Sequence, residues 1–282
     1  MTLPAATASR AVPQARRPGG LLVPGGPPRR AGALAASATF GWRAILKIRH
    51  EPKQLTDVIA IPVLITVLFT YIFGGAIGGT PGHYLTILLP GTLTMSIAIV
   101  TMYGGARLAQ DVTTGVFDRF RSLAVWRGAL VLGGLLSDLG RYLFAAAIVV
   151  ALGLIMGYRP GGGAPGVIAA VALVVAFGLS LSWLWAALAL LVRDPALVIS
   201  IANAVLMPLS FASNVFVQPR TMPGWLQAFV SINPISHVAS ATRALMNNTG
   251  GAGGPLTWSL IATAAITLVF APLALHLYSK QR

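Results

Sequence analysis

The densest group of side chains able to form strong directed interactions lies at 115–127, GVFDRFRSLAVWR. Three arginines, an aspartate and three aromatic rings fall there, in a chain only 9% charged. Phe117, Phe120 and Leu123 recur at helical spacing, and Asp118 lies three residues before Arg121, close enough to pair on a helix. With Gly115 starting or bending the segment, a short amphipathic helix parallel to a membrane fits, as does a solvated loop whose rings anchor among headgroups. Few other positions invite chemistry. His237 suggests a proton relay or a metal, but without a second ligand it reads as a polar interface residue. Arg243 could meet an anionic lipid or substrate group, or snorkel to the interface. Asp138 and Arg141, three apart, are expected to pair, and Asp57 sits near a helix start, where a carboxylate is favoured. Cysteine is absent, which excludes disulfides and thiolate metal sites. Gly161-Gly162-Gly163 lacks the following Lys-Ser/Thr of a phosphate loop, and no GxxxxGK[ST] occurs.

The elements carrying these residues follow from hydropathy. The 282 residues are 56% hydrophobic with a mean hydropathy of +0.78. Soluble domains carry about 25% charged residues, so the composition indicates an integral membrane protein. Six apolar segments, each near the length needed to cross a bilayer, fall at about 55–76, 85–106, 137–157, 166–191, 197–217 and 256–278. Gly153 and Gly157 form a GxxxG pair that could pack helices closely. Ahead of the spans, residues 1–37 read as a disordered basic tail. Residues 38–282 form the six-span domain. Within TFGWRAILKIRHEPK (39–53), Trp42, Arg43, Lys47 and Arg49 suit an amphipathic helix lying in the interface.

The net charge of +14 sorts by topology. An even number of spans puts both ends on one side. All Lys and Arg except Arg159, Arg220 and Arg243 then share that side, which the positive-inside rule makes cytoplasmic. The basicity is therefore topological, and no nucleic-acid partner is expected. The 115–127 group falls in the cytoplasmic connection between spans two and three. The longest gap, 218–255, lies outside and suggests two short half-buried helices broken at Asn233-Pro234. One carries Trp225, Leu226, Phe229 and Val230, the other Val238, Ala241 and Leu245.

LAQDVTTGVFDRFRSLAVWR (108–127) resembles the cytoplasmic loop of type-2 ABC exporter permeases, particularly the daunorubicin-resistance-type drug exporters of actinobacteria. The match runs from Asp111 through Leu123, with Ala124 where the family has proline. PKQLTDVIAIPVLITVLFTYIFGGAI (52–77) is similar to the family's first span, and LLPGTL (88–93) to the start of its second. PLSFASNVFVQPRTMPGWLQAFVSINPISHVASATRAL (208–245) is similar to its C-terminal signature, including Met222, Pro223, Gly224, Trp225, Asn233 and Pro234.

The resemblance implies a permease without its own ATPase, with ATP and Mg held by a separate ABC ATPase subunit and no cofactor in this chain. It implies that Gly115, Val116, Phe117, Asp118, Arg119, Phe120, Arg121, Ser122 and Leu123 form the helix that fits a groove on that ATPase. Arginines would pair with acidic groove residues and phenyl rings would supply desolvated anchors. It also implies that the 222–243 region, with His237 and Arg243, roofs the pathway.

The expected fold is thus all-α and integral to the bacterial cell membrane. It has six transmembrane helices, an N-terminal interfacial helix and a short extracytoplasmic helical segment before the last span. A second permease copy or a paralogue would complete a pathway for hydrophobic, amphipathic drug-like or lipid-like small molecules. A permease for polysaccharide or lipid-linked glycan would carry more pathway aromatics. An ion-coupled secondary transporter would need an ionisable group at mid-membrane, where none is seen.

Overall fold

The computed structural model describes residue 60 and residues 62–114 and 128–280. The tail at 1–37, the interfacial segment with Trp42, Arg43, Lys47 and Arg49, and residues 115–127 lie outside the described residues. Among those described, all regular structure is helical: α1 (Pro62–Gly78), α2 (Pro81–Thr113), α3 (Gly128–Ile155), α4 (Gly163–Val192), α5 (Pro195–Phe211), α6 (Gly224–Ile232), α7 (Pro234–Asn247) and α8 (Gly253–Lys280). A 3₁₀ turn at Pro219–Thr221 precedes α6.

Four stretches are long and apolar enough to cross a membrane: Pro81–Thr113, Ser137–Ile155, Gly163–Val192 and Gly253–Tyr278. The helices over the other two expected spans are shorter. α1 is described only from Pro62, and α5 stops at Phe211 rather than reaching 217. The early stop has a local cause. Ser213 Oγ donates to the Ser210 carbonyl at 2.5 Å and accepts from Val215 N at 3.2 Å, offering the backbone a turn in place of further helix. α2 conversely runs past its expected end at 106 to Thr113.

Helix starts are written locally. Thr80, with Pro81 following, caps α2 by accepting from His83 N at 3.2 Å. Asp194, followed by Pro195, accepts from Ala196 N and Leu197 N and caps α5. Arg193, at φ 56°, turns the chain between α4 and α5 in the left-handed region. α1 contains a π-helical turn at Phe69–Phe73.

α2 is the central element. Across its apolar window 94% of residues are buried, against 6% for α8, so α8 offers its surface outward. α2 packs on α3, α4, α5 and α7. Close approach requires missing side chains: a Cβ on Gly105 would lie 2.6 Å from Trp185 Cβ, and one on Gly178 2.6 Å from Ile97 Cγ2. Polar cross-links reinforce the apolar contact. Trp185 Nε1 donates to Thr101 Oγ1 at 2.8 Å between α4 and α2. Tyr142 Oη and Ser182 Oγ, 2.6 Å apart, join α3 to α4. Of the GxxxG pair, Gly153 faces Leu89 of α2, but Gly157 lies in the turn beyond α3 at φ 95°, so the two do not form one helix-packing seam.

Candidate functional site

The region predicted to roof the pathway is built around a helix interruption. Pro90 sits inside α2 and has no N–H, so the Thr86 carbonyl one turn back loses its helical partner. Asn247 of α7 supplies the donor, with Nδ2 2.8 Å from Thr86 O. One residue along, the Ile87 carbonyl receives Arg243 Nε at 3.1 Å and Nη2 at 3.0 Å. Arg243 Nη2 also reaches Asn214 O at 2.9 Å. The sequence-based alternatives of snorkelling or meeting an anion are thus replaced by a third arrangement. The guanidinium turns inward and caps backbone carbonyls, because those acceptors in an apolar setting are worth more to it than interfacial water. Burial pulls its pKa down to about 10, so it remains a cation at neutral pH.

Further bonds tie the same segment to the bundle. Tyr84 Oη donates to Phe216 O at 3.0 Å, and Tyr158 Oη donates to Asn247 Oδ1 at 2.6 Å. Burial pushes the Tyr158 phenol up to about 12, which keeps it a donor. Asn233 works in both directions: Oδ1 accepts from Ile235 N at 2.9 Å and starts α7, while Nδ2 donates to Leu209 O at 2.7 Å and Ala212 O at 3.1 Å and ends α5. Asn214 Nδ2 donates to Ser240 Oγ at 2.6 Å.

α6 and α7 differ more than expected. α7 buries Ile235, Val238, Ala239, Ala241 and Met246, but α6 buries only Val230 and leaves Trp225 74% exposed. The expectation of two half-buried helices therefore fits α7 alone. Met222 and Pro223 start α6: Pro223 O accepts from Leu226 N and Gln227 N, and Met222 O accepts from Gln227 Nε2 at 2.8 Å. A Cβ on Gly224 would meet nothing, and Pro234 occupies the first position of α7. His237 places Nε2 2.8 Å from Ser231 O and stacks on Trp258 of α8, with ring centroids 5.8 Å apart. Among the described residues no group of three His, Cys, Asp or Glu could hold a metal.

Next to this segment four phenylalanines form a row. Phe73 meets Phe69 at 5.2 Å, Phe69 meets Phe216 at 4.8 Å, and Phe216 meets Phe211 at 5.3 Å between ring centroids. Between α3 and α4 lies an apolar groove of about 630 Å³, lined by residues including Leu143, Ala147, Val150, Ile168 and Ala172. At the opposite end of α2, Arg107 and Arg141 meet Asp138. The Asp138–Arg141 pair is visible in the sequence spacing; Arg107, 31 residues upstream of Asp138, is not. Gly115 through Leu123 lie outside the described residues, between Thr114, whose Oγ1 donates to Gln110 O, and the start of α3 at Gly128.

Comparison with known proteins identifies the family. Residues 37–247 match the model of the ABC-2 type transporter family. The chain is 42% identical over 265 residues to the daunorubicin resistance ABC transporter permease protein of Streptomyces coeruleorubidus, covering 93% of this chain and 92% of that protein. A doxorubicin resistance ABC transporter permease protein of Mycobacterium tuberculosis is 23% identical over 198 residues, 70% of this chain and 68% of its own length. A probable doxorubicin resistance permease from the same species is 23% identical over 240 residues, 83% of this chain and 84% of its own. In such a permease ATP is bound by a separate ATPase subunit, consistent with the missing phosphate loop. Multi-pass apolar helices and these matches lead to one conclusion: the chain belongs to the ABC-2 type transporter family, as the membrane permease subunit of an ABC drug exporter.

Proposed function

We propose that this chain exports hydrophobic or amphipathic drug-like molecules, of the daunorubicin and doxorubicin kind, through a pathway completed by a second permease copy or a paralogue. The observation that carries the reading is the 42% identity spanning 93% of the chain to a daunorubicin resistance permease. An interior dominated by Leu, Val, Ile and aromatic side chains suits such cargo. The chain crosses the bacterial cell membrane six times, with both termini and residues 115–127 in the cytoplasm, in keeping with the distribution of Lys and Arg. Gly115 to Leu123 form the helix that docks on the ATPase. Closure of the ATPase dimer moves α2 and α3, which flank that helix, and access alternates across the membrane. The α6–α7 segment lies on the outer side.

The test is ATP-dependent drug uptake by inside-out vesicles containing the chain together with its partner ABC ATPase subunit. Daunorubicin accumulates only when both proteins and hydrolysable ATP are present. Movement of drug down an ion gradient by the chain alone, without an ATPase, would sink the reading.

A further inference from the structure

Two arginines compete for one carboxylate where α2 meets α3. Arg107 Nη2 lies 3.1 Å from Asp138 Oδ1, and Arg141 Nη2 pairs with the same oxygen. The side chains of Arg141 and Asp138 are 9% and 11% exposed, that of Arg107 30%, so the cluster is enclosed on the α3 side and reachable past Arg107. Arg141 Nε is buried and has no hydrogen-bond acceptor among the described residues. Gly104 of α2 faces the other oxygen, where a Cβ would stand 3.0 Å from Oδ2, so the glycine leaves room beside the carboxylate. Among the described residues the cluster therefore joins Arg107, Asp138 and Arg141, with a buried Arg141 N–H left without an acceptor. An arrangement of that kind is costly unless a further anion completes it.

We propose that Arg107, Asp138 and Arg141 form a binding site for a phosphate group, received between α2 and α3 by the guanidinium groups while Asp138 holds the two arginines in place. Paired planar guanidiniums present N–H donors in the geometry that phosphate oxygens accept. Basic pockets between transmembrane helices near the cytoplasmic surface are suited to lipid headgroups. Arg107 lies in the last two turns of the α2 stretch Pro81–Thr113, and Asp138 and Arg141 in the first turns of the α3 stretch Ser137–Ile155, so the cluster sits toward one end of both, where a headgroup would be met. The exposed Leu143 and Phe144, on the next turn of α3, offer apolar surface for acyl chains. Only the choice of leaflet rests on the topology proposed above; the site itself does not depend on drug export.

The test is native mass spectrometry of the full chain in nonionic detergent, with phosphatidylglycerol, phosphatidylcholine or inorganic phosphate added in separate series. Thermal unfolding of each sample is recorded in parallel. The wild-type chain retains phosphatidylglycerol in preference to phosphatidylcholine, and Arg141→Gln weakens that retention about tenfold, as loss of a charge-assisted hydrogen bond would. Should Arg141→Gln fail to fold, Arg107→Gln, at the more exposed arginine, carries the same expectation. Retention of phosphatidylglycerol unaffected by inorganic phosphate supports the site and assigns it to a lipid headgroup. Displacement of the lipid by millimolar phosphate supports the site and assigns it to free phosphate. Equal retention of the two lipids by the wild type with no thermal stabilisation by phosphate, or a preference unchanged in both variants, overturns the proposal.

Discussion

Asn247 donates through Nδ2 to the Thr86 carbonyl, 161 residues earlier in the chain, and so fills the hydrogen bond that Pro90 cannot make. The proline and its remedy lie on different helices. α2 is therefore interrupted only where α7 is in place to complete it, and the fold of one depends on the docking of the other.

Replacing Asn247 with Leu leaves both Thr86 O and Tyr158 Oη without their partner. Loss of about 1–3 kcal/mol for each buried group left unsatisfied is expected, read as a lower unfolding temperature of the purified chain. Combining Asn247→Leu with Pro90→Ala restores the helical donor to Thr86 and recovers part of the loss. Strict additivity of the two substitutions would contradict the coupling.

Arg243→Met removes three hydrogen bonds to the Ile87 and Asn214 carbonyls while keeping much of the side chain's volume. A stability loss of about 2–4 kcal/mol is expected, on the scale of breaking bonds from a charged donor. Arg243→Lys keeps the charge but not the fork, and falls between the two. Protease cleavage within 212–233 reports the loosening, since this segment is held to the bundle by the same bonds.

Gly91→Ala places a methyl 2.5 Å from Val215 O and 2.9 Å from Val215 Cα. Both are backbone atoms and cannot turn aside, so a loss of about 1–3 kcal/mol follows. Gly75→Ala, where a Cβ meets nothing, is the matched control and leaves the unfolding temperature unchanged or slightly raised.

Arg119→Glu combined with Arg121→Glu reverses the charge of the proposed ATPase-docking segment. Co-purification of the ATPase with the chain is expected to be lost, together with ATP-dependent drug uptake, while the amount of chain in the membrane is unchanged. Intact association and uptake would remove the docking role from this segment.

Much of the helical plan is legible because its causes are local. Asp194-Pro195 and Asn233-Pro234 stop one helix and start another through their own side chains and rings, and four membrane-length helices announce themselves by hydropathy. Arg243 shows where such reading ends. Its environment is set by carbonyls at Ile87 and Asn214, which no spacing around position 243 reveals. A proline within a span does carry a usable signal: the carbonyl one turn before it needs a donor from elsewhere. Only packing discloses that Asn247 is that donor. Asp138 and Arg141 reveal themselves at i,i+3, but Arg107 joins them through a helix contact. The proposed docking segment at 115–123 lies outside the described residues and rests on its sequence pattern.

The length of α2 has a mechanical consequence. Thr86, gripped by Asn247, and Thr114, the C-cap beside the proposed docking segment, are 28 residues apart along α2 and its cap. At 1.5 Å per residue that is a lever arm of roughly 42 Å, so a tilt of about 3° pivoting at Thr114 displaces the far carbonyl by about 2 Å. A hydrogen bond does not survive such a displacement unless its donor travels too. In the proposed transport cycle, either α7 is carried with α2 during every stroke, or the Asn247 and Arg243 bonds break and re-form once per cycle and work as a ratchet at the far end of the lever.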